Sequence, residues 1–116
     1  MALTNEPPDL LPGTLDMLVL RIILRGATHG YGIAERLRLV SEDVLIVGES
    51  SLYPALQRLE RSGCITSKWE VNERGKELKL YRLTTKGRKQ LDLEESKWRT
   101  LARAIGRMLR PAKVSS

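Results

Sequence analysis

Between Ser50 and Arg61 the chain reads SSLYPALQRLER, which sets two hydroxyls (Ser50, Ser51), a phenol (Tyr53), an amide (Gln57) and two guanidiniums (Arg58, Arg61) around Pro54. These groups can hydrogen-bond phosphate oxygens and the edges of bases in a major groove, or simply face water as the polar side of a helix. A second set, Arg74, Lys76 and Lys79, is purely cationic and suits phosphate contact. The sequence offers little to bond-making chemistry: there is no recognisable nucleophile–base pair, no glycine-rich phosphate loop and no metal-ligand spacing, so neither an enzyme nor a cofactor is expected. Cys64 and His29 each stand alone, which excludes an internal disulfide and a thiolate metal cluster. Cys64 follows Gly63 and precedes Ile65, where a small buried side chain fits.

The elements that would hold these residues follow from periodicity. Leu52, Ala55, Leu56 and Leu59 form one apolar stripe, so residues 51–61 read as a helix with a buried face. If Ser50 or Ser51 caps it, Pro54 falls near the third helical position, where its missing N–H costs nothing, and Gly63 ends it. Upstream, TLDMLVLRIILRG predicts a helix capped by Thr14, with Asp16 in the first turn and Gly26 as its stop. It is apolar nearly all round, so a second covering surface is expected on Leu18 and Ile22, most simply a partner subunit. In HGYGIAERLRLV the inward stripe is Ile33, Leu37 and Val40 with Tyr31 and Ala34, and Gly30 and Gly32 suggest close approach of another backbone. Residues 44–47 allow one short extended segment.

After Gly63 the period drops to two. Ile65, Trp69 and Val71 alternate with polar residues and predict an inward strand face, answered by LKLYRL at 78–83. The intervening NERGKE makes a hairpin with a long charged tip. From Thr84 or Thr85 a helix is expected to about Arg110, stopped by Pro111. Leu91, Trp98 and Ile105 are spaced by seven with Leu101 and Met108 in the alternate seam, a heptad pattern that predicts pairing with a second copy.

At 116 residues and a formal charge of +6, with an isoelectric point near 9.8, the chain is sized for one domain with an anionic partner. No apolar run is long enough to span a bilayer and the first residues lack a secretory pattern, so a cytoplasmic protein with no membrane partner is expected. The order helix, helix, helix, hairpin, helix predicts a mainly α fold with a small β-hairpin: a winged helix-turn-helix plus a long C-terminal dimerisation helix. The expected division is a flexible arm over 1–12, the winged helix-turn-helix over 13–84, the dimerisation helix over 85–110 and a flexible tail over 111–116.

The runs GTLDMLVLRIILRGATHGYGIAERL, SSLYPALQRLERSGCI, LKLYRLTTKGRKQL and WRTLARAIGRML together resemble the PadR family of bacterial transcriptional regulators, in its short form and its acidobacterial-type branch. The resemblance implies a homodimer held by its first and last helices, binding double-stranded DNA with approximate two-fold symmetry and usually repressing. Ser51, Tyr53, Pro54 and Arg58 match the recognition-helix motif, while Lys76 and Lys79 match only the basic character of the wing. Tyr53 has two readings, stacking on sugar-phosphate or bracing the helix. Trp98 also has two, packing within the dimer seam or stacking on a small aromatic effector at the dimer interface. The rival to DNA binding is a winged-helix adaptor that uses the same face on a protein.

Overall fold

The structure, a computed structural model, describes residues 13–111. In chain order it contains α1 (Thr14–Leu24), β1 (Thr28–His29), α2 (Gly30–Val40), α3 (Glu49–Arg61), β2 (Ile65–Val71), β3 (Glu77–Leu83) and α4 (Thr85–Leu109). The arm expected over 1–12, and all but the first residue of the tail expected over 111–116, lie outside the described residues.

The three α-helices of the first half close on one core. Val19, Leu20 and Ile23 of α1 meet Ile33 and Leu37 of α2 and Leu52, Leu56 and Leu59 of α3. The remaining wall comes from Ile65 of β2, Tyr81 of β3 and Leu91 of α4. Leu91 is therefore a correction to the expected dimer seam: it is fully buried against its own chain and has no surface left to offer a second copy. On α1, Leu18 and Ile22 are only half-covered, and with Arg21, Arg25, Arg36, Val40 and Leu45 they line a groove of about 190 Å³.

Several local expectations change. α1 starts one residue earlier in its cap than expected: Gly13, at φ 86°, is the N-cap and Thr14 is already helical, with the Met17 N–H donating to the Gly13 carbonyl at 3.0 Å. On α2, Val40 and Tyr31 point to solvent rather than inward, so the buried stripe shrinks to Ile33 and Leu37 beside the half-buried Ala34. Its two glycines accommodate side chains, not a backbone. A Cβ on Gly32 would collide with the Thr28 hydroxyl, and one on Gly30 would lie 3.5 Å from the Tyr53 ring. Residues 44–47 form no strand; Ser41 ties off α2 by donating to the Leu37 carbonyl at 2.6 Å and accepting from the Leu45 N–H at 2.8 Å.

The hairpin gains a third strand. β1 pairs antiparallel with β3, giving the order β1-β3-β2, with Thr28 opposite Tyr81 and Ile65 opposite Leu83. The adjacent residues Leu80 and Tyr81 of this central strand point to opposite faces and are both buried, Tyr81 within the main core. The expected long tip is a tight turn: the Asn72 carboxamide oxygen accepts from the Arg74 and Lys76 N–H groups at 2.9 Å each, and Gly75 takes φ 77°.

α3 and α4 meet at a joint without slack. α3 ends in a Schellman turn, with Cys64 N–H donating to the Leu59 carbonyl at 2.9 Å and Gly63 at φ 80°. The Thr84 hydroxyl donates to the Gly63 carbonyl at 2.6 Å and caps α4 by accepting from the Gly87 N–H at 3.0 Å. Gly87 lies so close to the Cys64 carbonyl that a Cβ there would overlap it.

Candidate nucleic-acid interface

The exposed face of α3 is set by the same spacing that buries Leu52, Ala55, Leu56 and Leu59. Ser50, Pro54, Gln57 and Arg61 recur at four- and three-residue steps along the middle of that face, and all are exposed. The helix begins at Glu49 with Gly48 as N-cap and no side-chain cap, so the serines lie within its first turn instead of capping it. Pro54 is consequently the sixth helical residue, where its absent N–H leaves the Ser50 carbonyl without its ordinary intrahelical donor. That carbonyl belongs to the solvent face, where an external donor can reach it.

Arg58 does not stand among the free groups. Its Nη2 donates to Asp16 Oδ1 at 2.8 Å and its Nε to Asp16 Oδ2 at 3.4 Å, a two-pronged pair across to α1. The bond raises the Arg58 pKa above its ordinary value, through the hydrogen bond first and the charge second. Arg58 lies four positions after Pro54, but its rotation puts it on the α1 flank, which Ser51 shares two turns earlier. In the structure Arg58 thus serves as a strut between α1 and α3, through a pair whose guanidinium side is half open to solvent.

Tyr53 occupies the opposite flank, partly exposed, with its ring against Gly30 at the start of α2. This is the bracing arrangement; its exposed edge still borders the helix face. Beyond it, Glu60 joins α3 to the sheet, accepting from the Ser67 hydroxyl at 2.6 Å and lying 3.7 Å from Lys79 Nζ. The buried phenol of Tyr81 beneath this contact is held above its usual pKa, by burial first and then by the charge of Glu60.

The wing carries Arg74 and Lys76 on its turn, both exposed and in no ion pair among the described residues. Lys79 is different. It sits directly opposite Trp69 in the β2–β3 register, with its ammonium 5.7 Å from the ring centroid, and its other neighbour is Glu60. Its charge is shared between the Glu60 carboxylate and the Trp69 ring. Trp69 and Val71 correct an expectation: neither is inward, and Trp69 is 65% exposed. Alternation alone could not show this, because the strand runs past the edge of the helical layer that would cover it.

On α4 the outer heptad residues Trp98, Leu101, Ile105 and Met108 are exposed along one side of the helix. At its inner end the seam adjoins α1, where Gly13, Thr14, Met17, Glu94, Lys97, Trp98 and Leu101 border a groove of about 160 Å³. Arg21 of α1 reaches Glu95 at 3.6 Å and steadies this contact. No helix of the described residues is long and apolar enough to cross a membrane.

Residues 19–93 match the model of the transcriptional regulator PadR-like family, well over half of the chain. The chain belongs to that family. A PadR family regulator of known structure from Eggerthella lenta is similar to it at 32% identity and a TM-score of 0.72, over 86% of this chain and 85% of that one. Another PadR family regulator, from Clostridium difficile, gives 30% identity and a TM-score of 0.72, over 84% of this chain and 100% of that one. An uncharacterized protein of Lysinibacillus sphaericus is 32% identical over 91 residues, covering 78% of this chain and 83% of its relative. The four α-helices, small sheet and long final helix of this PadR-like regulator are those of the winged-helix structures it resembles.

Proposed function

We propose that this PadR-like regulator binds double-stranded DNA as a homodimer and acts in the cytoplasm as a repressor on a two-fold symmetric operator, not as an enzyme. The observation that carries the reading is the exposed row Ser50, Pro54, Gln57 and Arg61 on α3, joined by the exposed cations Arg74 and Lys76 of the wing turn. In a helix laid in the major groove, Gln57 and Arg61 supply the bidentate donor and acceptor sets that distinguish adenine and guanine edges, while the wing cations take phosphates. The exposed seam of Trp98, Leu101, Ile105 and Met108 supports pairing of two α4 helices, helped by the half-covered Leu18 and Ile22. Two-fold symmetry then presents two α3 helices about one DNA turn apart, roughly 34 Å. The SLYPALQRLERSG and YRLTTKG motifs support a reading of the chain as a short-form member of the family, of the acidobacterial type. A planar aromatic effector would enter beside Trp98, where the seam groove opens.

Selection of bound duplexes from random DNA tests this directly and should return paired half-sites about ten base pairs apart. On the selected duplex, Gln57→Ala or Arg61→Ala should each cost about 1–3 kcal/mol and relax preference at one position per half-site. Retained preference in both variants would remove α3 as the reading element. Unselective recovery of duplexes, with no dependence on salt, would favour an adaptor instead.

A further inference from the structure

Residues 1–95 carry 14 cationic and 14 acidic side chains, so the whole formal charge of +6 lies beyond Glu95, where six cations follow and no carboxylate does. On α4 the heptad register fixes which way these charges face. With Leu91, Trp98 and Ile105 at one seam position and Leu101 and Met108 at the other, Arg103 and Arg110 take the position directly opposite the seam and Arg107 the one beside it. Beyond Trp98 the flanking positions, through which paired helices exchange salt bridges, hold Ala102, Ala104 and Leu109 instead. Arg103, Arg107 and Arg110 are exposed and enter no ion pair among the described residues. The carboxylates of the inner turns are spoken for or distant: Glu94 meets Lys97, Glu95 meets Arg21 and Arg99, and Asp92 precedes Arg103 by about 16 Å of helix axis. The groove that α1 shares with α4 ends at Leu101, and a Cβ on Gly106 would meet nothing within 4 Å, so the row stands in open surroundings.

We infer that Arg103, Arg107 and Arg110 form a second nucleic-acid surface, which holds the phosphate backbone of duplex DNA without reading its sequence. The surface is separate from α3 and does not require the base-reading assigned to it: the row begins about 18 Å along the axis beyond Leu91, where α4 leaves the core. Residues 1–95 are neutral as a whole, so the chain's long-range attraction for a polyanion resides in α4. The chemistry of the face selects the occupant. Beyond Glu95 its outward positions hold arginines, Ser96, Thr100 and Gly106, with no aromatic or aliphatic side chain of the kind on which a protein interface centres. A lipid surface would take up the apolar seam, which a second copy covers in the proposed dimer, and the arginines would then point away from the headgroups. Three guanidiniums over about 10 Å of helix suit a duplex, which presents one negative charge per roughly 1.7 Å of its axis. The contact adds affinity for every sequence and speeds encounter with the operator.

The test is the salt dependence of binding to a random-sequence duplex several helical turns long, followed by fluorescence anisotropy on the full chain. The triple variant Arg103→Gln, Arg107→Gln, Arg110→Gln should bind that duplex about tenfold or more weakly at low salt. Its slope of log K against log salt should fall by about three, because the counterions displaced by those residues stay on the DNA. The corresponding triple lysine variant should keep the parent slope, since a phosphate contact needs the charge and not the fork. On the selected duplex the glutamine variant should keep the parent's base preference at every position, with α3 untouched. The row is exposed and faces away from the seam, so circular dichroism and sedimentation should match the parent. A parent-like salt slope in the glutamine variant would overturn the inference, as would a changed sedimentation coefficient, which would make the row a subunit contact. Co-sedimentation of the parent with vesicles of phosphatidylglycerol and phosphatidylcholine, lost in the glutamine variant while the duplex slope is unchanged, would give the row to lipid instead. Selection that returns no half-sites, with a duplex slope that still depends on the row, would remove the α3 reading and leave this surface standing.

Discussion

At the scale of single residues, Arg58 shows how a side chain of suitable chemistry can be committed elsewhere. Its guanidinium is bidentate on Asp16, half-exposed, and joins α1 to α3 over 42 residues of sequence. In a double-mutant cycle on urea unfolding, Arg58→Ala and Asp16→Ala should couple by about 0.2–1 kcal/mol, the range for pairs open to solvent. If the pair only steadies α3, both single variants should lower DNA affinity similarly for specific and random sequence. A loss confined to Arg58→Ala and to the specific duplex would return Arg58 to base reading. Gln57 and Arg61, one turn on from Pro54 and two, face outward with no such partner among the described residues. Neighbouring positions on one helix thus divide between holding the helix and presenting it.

At the scale of elements, the sheet joins α3 to the wing, and Tyr81 of β3 lies at the crossing. Its phenol has an ordinary pKa of 10.0 that burial raises in the fold. Below that value the group is protonated folded and unfolded, and its contribution to stability is complete. As pH rises past it, the unfolded chain ionises first and stability falls until the raised folded value is passed. Tyr81→Phe has no proton to lose, so its unfolding free energy should decline less steeply on the alkaline side than that of the parent, measured by urea titration from neutral pH upward. An unchanged alkaline slope would place the loss on other groups. Much of this architecture is legible in the sequence because it rests on local periods: β2 is found at its expected bounds, α4 runs from its Thr84 cap nearly to Arg110, and Gly63 closes α3 as its position suggests. The rest depends on long-range placement. β1 is two residues long and exists only by pairing with Tyr81 and Leu80. Gly48 caps α3 through backbone alone, so the serines misled. The fates of Arg58, Lys79 and Trp69 turn on Asp16 and Glu60, residues distant in the chain, and on where a neighbouring layer ends.

At the scale of the whole molecule, α4 belongs to two bodies. Its first turns enter the core through Leu91, and its later turns carry the bare seam. Leu91→Ala should destabilise each subunit by about 2–5 kcal/mol in unfolding experiments. Ile105→Asp should leave the subunit folded, convert a dimer to monomer in sedimentation velocity, and weaken operator binding because two linked half-sites become one. A folded Ile105→Asp variant that still sediments as a dimer would move the interface off this seam. The joint at Thr84 gives α4 a mechanical meaning as well. With its cap bonded to the end of α3, and Gly87 seated against the Cys64 carbonyl, α4 is joined to α3 as a lever whose short arm is α3. Over a length of about 37 Å, a swing of about 5° at that joint displaces the far end by about 3 Å. In the proposed dimer, work done on the seam would therefore be geared down at α3, and coarse displacements between paired tails would become fine adjustments of the angle at which each α3 meets its groove.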